Sequence, residues 1–108
     1  MSVALMVSQA GDGSTIDYSP IATQGTFRAL WTPACDVLGL ELIPLFESGL
    51  LITHGMFDDL LAELGRLEAF ASQKCEEPGH ANLIERIRIL QSKLTIYKQN
   101  SNVNVWIG

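Results

Sequence analysis

Residues 53–73 read THGMFDDLLAELGRLEAFASQ, and this stretch decides the fold. Two acids, Asp58 and Asp59, lie where the positive end of a helix dipole favours negative charge, and Thr53 is a good N-cap. The apolar residues then recur at helical spacing, at Phe57, Leu60, Leu61, Leu64, Leu67, Phe70 and Ala71. The pattern predicts a helix over residues 54–73.

A second apolar stripe follows a polar loop at residues 75–79. Its members alternate by four and three residues: Leu83, Ile87, Leu90, Leu94 and Tyr97. They predict a helix over residues 80–99, and the short loop favours an antiparallel helical hairpin. The stripe spans only about two heptads, so it indicates an intramolecular core rather than a coiled coil.

Three segments have the alternating pattern of strands with one buried face. Residues 3–8 and 15–19 flank Gly11-Asp12-Gly13, and Asp-Gly between two extended segments is a hairpin signal. Residues 102–107 alternate apolar and polar side chains, which predicts a strand that pairs with the sheet begun by the N-terminus. Trp106 would then lie on the opposite face from the valines.

The segment between hairpin and helix is less regular. Helical spacing predicts a helix over residues 26–38, with Gly39 in the left-handed conformation after its end. Pro33 interrupts this pattern, so either the helix is kinked there or its regular part begins at Thr32 with Pro33 in the first turn. Residues 40–46 read LELIPLF and predict a strand, which Pro44 places at a sheet edge or at a bulge.

The elements together predict a single domain over residues 1–108. We expect an α+β fold, in which a small, mainly antiparallel sheet of about four strands packs against three helices. The last two helices form the hairpin described above. A hydrophobic content of 47% supplies one contiguous core.

Charge is distributed unevenly along the chain. Residues 1–80 hold eleven carboxylates and three basic side chains, whereas residues 81–108 hold four basic side chains and one carboxylate. The net charge of −5 argues against nucleic acid and anionic membrane as partners. It fits a basic protein partner, and it also fits solubility alone.

No recognisable set of catalytic or metal-binding residues is present in the sequence. Cys75 and His80 form only half of a zinc pattern, and Cys35 and His54 stand alone. We therefore expect neither enzyme activity nor a cofactor or metal. The apolar run at residues 3–7 lacks the basic flank of an export signal. We expect a cytoplasmic protein with free thiols at Cys35 and Cys75; a disulfide between them is the alternative.

A binding surface is the remaining expectation. Acids without interspersed lysines leave an uncompensated potential that steers a basic partner; the candidates are Asp12, Asp17, Asp58, Asp59 and Glu63. Asp12 and Asp17 join this surface only if the hairpin lies close to the helix over 54–73. Tyr18 and Trp106 are the candidate aromatic anchors.

Residues 48–53, SGLLIT, lead into the acidic segment FDDLLAEL at 57–64. In length, acidity and this segment, the chain resembles small bacterial immunity proteins. The resemblance implies a cytoplasmic antidote that binds a cognate toxin domain. The sequence is compatible with a monomer and with a homodimer. Two alternatives are a phage-encoded inhibitor or regulatory adaptor, and a small enzyme or ligand-binding subunit whose site forms across a homodimer.

Overall fold

The computed structural model describes residues 2–74, 76, 79–100 and 102–108, and it has the α+β architecture expected from the sequence. The strands are β1 (Ser2–Gln9), β2 (Thr15–Thr23), β3 (Leu50–Ile52) and β4 (Val103–Ile107). The helices are α1 (Gln24–Thr26), α2 (Thr32–Leu38), α3 (Phe57–Ser72) and α4 (His80–Lys98). A π-helical turn over Phe27–Trp31 joins α1 to α2, and the three form one continuous helical segment. The helices α3 and α4 are the other two segments of the helical layer.

The four strands form one antiparallel sheet in the order β2-β1-β4-β3. The C-terminal strand therefore lies between the N-terminal strand and β3. Leu5 pairs with Ile107, and Ile107 pairs in turn with Leu50. The prediction that residues 102–107 pair with the sheet begun by the N-terminus is confirmed.

One face of the sheet is covered by the helices, and the core lies between them. The helices α3 and α4 are adjacent, as the sequence predicted, and their apolar stripes are buried together. A fully buried leucine contributes about 1.5–3 kcal/mol relative to an exposed one. The buried stripe residues are Phe57, Leu60, Leu64, Leu67 and Ala71 of α3, and Leu83, Ile87, Leu90 and Leu94 of α4.

The first helical segment accommodates Pro33 in the second of the two ways expected. The regular helix α2 begins at Thr32, and Pro33 lies in its first turn. In the preceding π turn, the Thr32 N–H donates to the carbonyl of Phe27. This wider turn gives the proline ring room where a regular helix would clash. Gly39 ends α2 with φ 69°, in the left-handed conformation predicted.

The prediction of a strand over residues 40–46 is wrong. The structure has a 3₁₀ helix over Ile43–Glu47, and the strand in this part of the chain is β3, over Leu50–Ile52. Pro44 lies near the start of the 3₁₀ helix, where a missing N–H costs little. Ile43 and Phe46 are buried there, so the apolar residues that resembled a strand face the core from a helical turn.

Glu63 and Arg66 of α3 hold this irregular segment from one helix face. The Glu63 carboxylate accepts the backbone N–H groups of Glu41, Leu42 and Ile43 at 3.0–3.3 Å. The Arg66 guanidinium donates to the carbonyl of Leu38 at 2.7 Å. Both charges therefore satisfy backbone groups at helix ends, and Glu63 replaces a cap that no local side chain supplies.

The helix predicted over residues 54–73 begins less regularly than expected. A 3₁₀ turn over His54–Met56 precedes α3, and the Thr53 side chain makes no capping hydrogen bond. Thr53 instead contributes its carbonyl, which accepts the N–H of Met56. Within the described part of the chain, no helix combines the length and the apolar character needed to cross a membrane.

Replacing Glu63 tests its capping role. We expect Glu63→Ala to lower the free energy of unfolding by about 1–3 kcal/mol, because buried or partly buried N–H groups lose a charged acceptor. Urea denaturation measures the change. Glu85→Ala, an exposed acid on α4, is the matched control and should change stability by no more than about 0.5 kcal/mol. Equal effects of the two substitutions would contradict the capping role.

Candidate functional site

The outer face of the sheet carries a row of large side chains that crosses all four strands. Strand pairing places Tyr18 beside Met6, Met6 beside Trp106, and Trp106 beside Leu51. Residues that are directly opposite in an antiparallel sheet have their side chains on the same face. The inner face is the buried one, so this row points away from the helices. We call these four residues the outer row.

The outer row is exposed to solvent to an extent unusual for its composition. Tyr18 is 57% exposed, Leu51 52% and Trp106 39%, whereas Val105 and Ile107 beside Trp106 are buried. The row lines a concavity of about 480 Å³ whose polar members are the uncharged Ser8, Thr15 and Asn104. Exposed aromatic and apolar residues that form a contiguous patch are typical of a protein-binding surface.

The indole of Trp106 packs in a defined position on this face. A Cβ atom built on Gly108 would lie 2.7 Å from the indole Nε1, and one on Gly49 would overlap the six-membered ring. The indole therefore lies against the backbone of two glycines. Gly49 also has φ 99°, a conformation that other residues rarely adopt. The ring is held in place while part of it remains open to solvent.

A second, smaller hollow continues from the outer face at Leu51 and Asn104. It has a volume of about 250 Å³ and reaches Thr53, His54 and Phe57 at the start of α3. We call this hollow the notch. Since Leu51 and Asn104 line both hollows, a molecule that docks on the outer row is in reach of the notch.

Asp17 does not belong to an exposed acidic surface. It pairs with Val7 on the inner face of the sheet, and its carboxylate accepts hydrogen bonds from Lys93 at 2.7 Å and Tyr97 at 2.9 Å. The Lys93 hydrogen bond holds the pKa of Asp17 below its ordinary value, and burial opposes this shift. Asp17 thus ties β2 to α4, on the opposite face from its neighbour Tyr18.

The other predicted acids occupy different environments. Glu63 caps the 3₁₀ helix, and Asp58 forms an ion pair with Lys98. Asp12 accepts hydrogen bonds from the hydroxyl and the N–H of Ser14 within the hairpin turn, and these two bonds lower the pKa of Asp12. Asp59 is exposed in the first turn of α3. The five acids therefore do not form one surface.

Three of these acids still lie at one end of the molecule. Ala10, at the hairpin, donates to the carbonyl of Asn102, so the hairpin turn lies beside the loop before β4. The ion pair of Asp58 with Lys98 brings the start of α3 to the end of α4, at the same end. Asp12, Asp58 and Asp59 therefore border the end of the sheet at which the notch lies.

The thiol of Cys35 and the metal-ligating side chains of the described residues form no further site. Cys35 is a free, buried thiol, and burial raises its pKa to about 12. Cys75 lies outside the described residues. Among residues 2–74, 76, 79–100 and 102–108, no group of three His, Cys, Asp or Glu side chains is placed to hold a metal ion.

The structure thus joins the two predicted aromatic residues, and it separates Asp17 and Glu63 from the other predicted acids. Tyr18 and Trp106 lie on one face, with Met6 between them. Met6 and Leu51 were not among the sequence candidates. The sequence did contain a signal for Met6. It lies between Leu5 and Val7 in a predicted strand, and strand alternation places its side chain on the face opposite those two buried residues. Leu51 had no such signal, because the sequence did not predict β3.

Comparison of the chain with protein-family models, with curated proteins and with solved structures found no match. The geometry described above is therefore the basis for a functional proposal.

The packing of the Trp106 indole against Gly49 is tested by Gly49→Ala. We expect this substitution to lower the free energy of unfolding by about 1–3 kcal/mol and to move the indole, because the new methyl group meets the ring and φ becomes strained. Urea denaturation and Trp fluorescence measure the two effects. Gly39→Ala is the matched control, since its φ is also positive but no atom lies within 4 Å of the added Cβ. Equal losses in both variants would contradict the contact.

The role of Asp17 predicts a pH dependence. Its folded-state pKa is lowered, so its stabilisation is present above the unfolded-state value of 3.8 and is lost as the pH falls through the folded value. Wild type should therefore be more stable than Asp17→Asn at pH 7, and the difference should shrink below about pH 4. In a Lys93→Met background the difference at neutral pH should be smaller. A difference that is constant with pH would contradict this assignment.

Proposed function

We propose that this protein is a stoichiometric inhibitor of the immunity-protein type, which binds a cognate toxin domain on the outer face of its sheet. The observation that carries the proposal is the outer row, which leaves two aromatic, one aliphatic and one thioether side chain wholly or partly exposed on one uncharged face. In this proposal, the acidic surface expected from the sequence contributes less to binding than the outer row does. Tyr18 and Trp106 remain the proposed anchors, and Met6 and Leu51 join them.

The size of the face indicates what kind of partner it fits. The strands contain eight, nine, three and five residues. At ~3.4 Å per residue and ~4.8 Å between strands, they give a face of roughly 400 Å². A second copy packed face to face would bury roughly 800 Å² in total, below the ~1,200 Å² of a stable interface. A partner that binds tightly must therefore extend beyond the sheet to its border.

The charge of that border favours a basic partner. Asp12 and Asp59 lie at the end of the sheet next to the notch, Asp58 lies there paired with Lys98, and the whole chain carries −5. Negative charge at the rim of an interface speeds association with a basic protein, whereas buried aromatic anchors mainly slow dissociation. The acidic border is therefore expected to affect the association rate constant, and the outer row is expected to affect the dissociation rate constant.

The proposed setting is the cytoplasm, where an antidote of this type meets its toxin. A phage-encoded inhibitor or an adaptor would use the same face on another target. A homodimeric enzyme or ligand-binding subunit would instead place its site between two copies. These alternatives are outcomes of the experiment below.

The proposal predicts that a gene for a large secreted toxin adjoins the gene for this chain, and the C-terminal domain of such a toxin is the partner for the test. We expect co-expression to restore growth and the two proteins to co-purify at equal stoichiometry. Tyr18→Ala should weaken the complex about 30-fold, which corresponds to about 2 kcal/mol for an anchor, mostly by faster dissociation. Higher salt should slow association without a comparable effect on dissociation.

Val37→Ala is the matched control, because Val37 is 72% exposed on α2, away from the sheet. It should bind like wild type. The absence of both rescue and complex would overturn the antidote function. In that case, a homodimer measured by light scattering would favour the dimeric alternative. A complex that Tyr18→Ala leaves intact would place the docking site elsewhere.

A further inference from the structure

A second row of side chains crosses the outer face beside the outer row. Strand pairing places Thr15 beside Ser8, and Ser8 beside Asn104. Along their strands, Ser8 and Asn104 lie two residues from Met6 and Trp106, a distance of ~7 Å. All three polar side chains line the concavity that the outer row lines. We call Thr15, Ser8 and Asn104 the polar row.

The polar row has no hydrogen-bond partners within the fold. Among the side-chain hydrogen bonds that the described residues make, none involves the hydroxyls of Thr15 and Ser8 or the amide of Asn104. By contrast, the hydroxyl of Ser19, also on β2, donates to Asp17 at 2.9 Å. The fold therefore gains no side-chain hydrogen bond from the polar row, and these groups are available to another molecule.

Asn104 is an uncommon residue for its position. It lies inside β4, which itself lies between β1 and β3, and asparagine is depleted in strands because its amide competes with the backbone. Its side chain is exposed, and it lines both the concavity and the notch. A residue that departs from a local preference without a compensating contact in the fold indicates a role outside the fold.

A partner that docks on the outer row also covers Asn104. The two rows are ~7 Å apart, and a helix with its side chains is about 10–12 Å wide, so even a single helix laid on the outer row reaches the polar row. Covering an amide removes the water that satisfies its donors and its acceptor, and binding is weakened unless the partner replaces those hydrogen bonds. Asn104 therefore makes the docking face selective.

We propose that Asn104 selects the partner by pairing with an uncharged amide group on the partner's docking surface. This inference deepens the proposed function and rests on it, because it names the chemical group that the partner presents beside the outer row. A toxin domain without such a group is disfavoured at this position even where its shape fits the outer row, because the covered amide stays unpaired.

The chemistry of the asparagine side chain is the reason for an amide rather than a charged group. The side chain has two N–H donors and one carbonyl acceptor. A lysine or arginine offers donors only, and a carboxylate offers acceptors only, so each leaves part of Asn104 unpaired. A second amide presents a donor and an acceptor at the same spacing and forms two parallel hydrogen bonds with the first.

Asn104→Thr tests the inference first on the protein alone. We expect its melting temperature to rise by about 2–4 °C, because threonine has the higher strand propensity and the fold loses no contact of the amide. Circular dichroism measures the change. An unchanged or lower melting temperature would mean that the amide offsets this gain through a contact in the fold. That result would overturn the inference, whatever the toxin domain does.

The same variant should bind the toxin domain of the proposed function more weakly. We expect dissociation to be about tenfold faster, a loss of about 1.4 kcal/mol, because the partner's amide is left unpaired. Surface plasmon resonance measures the rate. A structural role of Asn104 would not produce a variant that is more stable and yet binds less tightly. Dissociation at the wild-type rate would contradict the pairing.

Asn104→Asp tests the charge of the paired group. It keeps the shape of the side chain but replaces the two donors with acceptors, so opposite an amide it should dissociate about tenfold faster than wild type. Opposite a cation it would dissociate more slowly. The matched control is Asn82→Asp, which adds the same charge at an exposed position of α4, on the helical side of the molecule. The control should dissociate within about threefold of wild type. Slower or unchanged dissociation of Asn104→Asp would overturn the amide pairing.

The partner's amide has two possible sources, an Asn or Gln side chain and a main-chain peptide group. Double-mutant cycles between Asn104→Thr and alanine substitutions of each covered Asn and Gln of the toxin domain distinguish them. Coupling at one residue identifies a side-chain amide. Coupling at none, with the tenfold loss in Asn104→Thr still present, assigns a main-chain peptide group. Either result supports the pairing.

Failure of this inference is distinguishable from failure of the proposed function. If Tyr18→Ala weakens the complex and Asn104→Thr does not, the docking face stands and the amide pairing is wrong. If no toxin domain is bound or neutralised by the wild-type chain, the antidote function is wrong, and the inference that rests on it is wrong as well.

Discussion

The insertion of β4 between β1 and β3 is the constraint on which the rest of the structure depends. It brings the C-terminal residues into register with the N-terminal strand, so that Met6, Trp106 and Leu51 line up across three strands, and β2 adds Tyr18. The same register buries Val105 and Ile107 beneath the helices. A shift of one residue in this pairing would exchange the two faces of β4, so the apolar core and the outer row are fixed together.

The helices cover only the inner face of the sheet, and the outer face is therefore open to solvent. Charged residues that a solvated outer face would normally carry are found elsewhere: Asp17 on the inner side against Lys93, Glu63 at a helix end, and Glu68 against Arg88. The Arg88 hydrogen bond lowers the pKa of Glu68, as Lys93 does for Asp17. These three acids are therefore engaged by other parts of the fold, and the proposed docking face is left uncharged.

Sequence patterns predicted the elements that are set by local spacing. The hairpin, the helices α3 and α4, and the final strand follow from periodicity, and Gly39 follows from helix-end chemistry. The segment 40–46 was misassigned as a strand because the backbone N–H groups at its turn are accepted by Glu63, some twenty residues away in sequence, and β3 was not predicted. Tyr18 and Trp106 were identified as aromatic candidates, but their alignment through Met6 depends on strand order, which composition does not encode. Asp17 and Glu63 looked like surface acids because no local pattern reveals a distant partner.

The central claim is that the outer row is the docking surface, and footprinting of the complex with the toxin domain tests it most directly. Hydroxyl-radical labelling followed by mass spectrometry reports the solvent access of Met6, Tyr18 and Trp106 in one experiment. The account predicts that labelling of all three falls when the partner binds, while labelling of Tyr97, on the helical side, stays the same. Unchanged labelling of Tyr18 and Trp106 in a fully formed complex would contradict it.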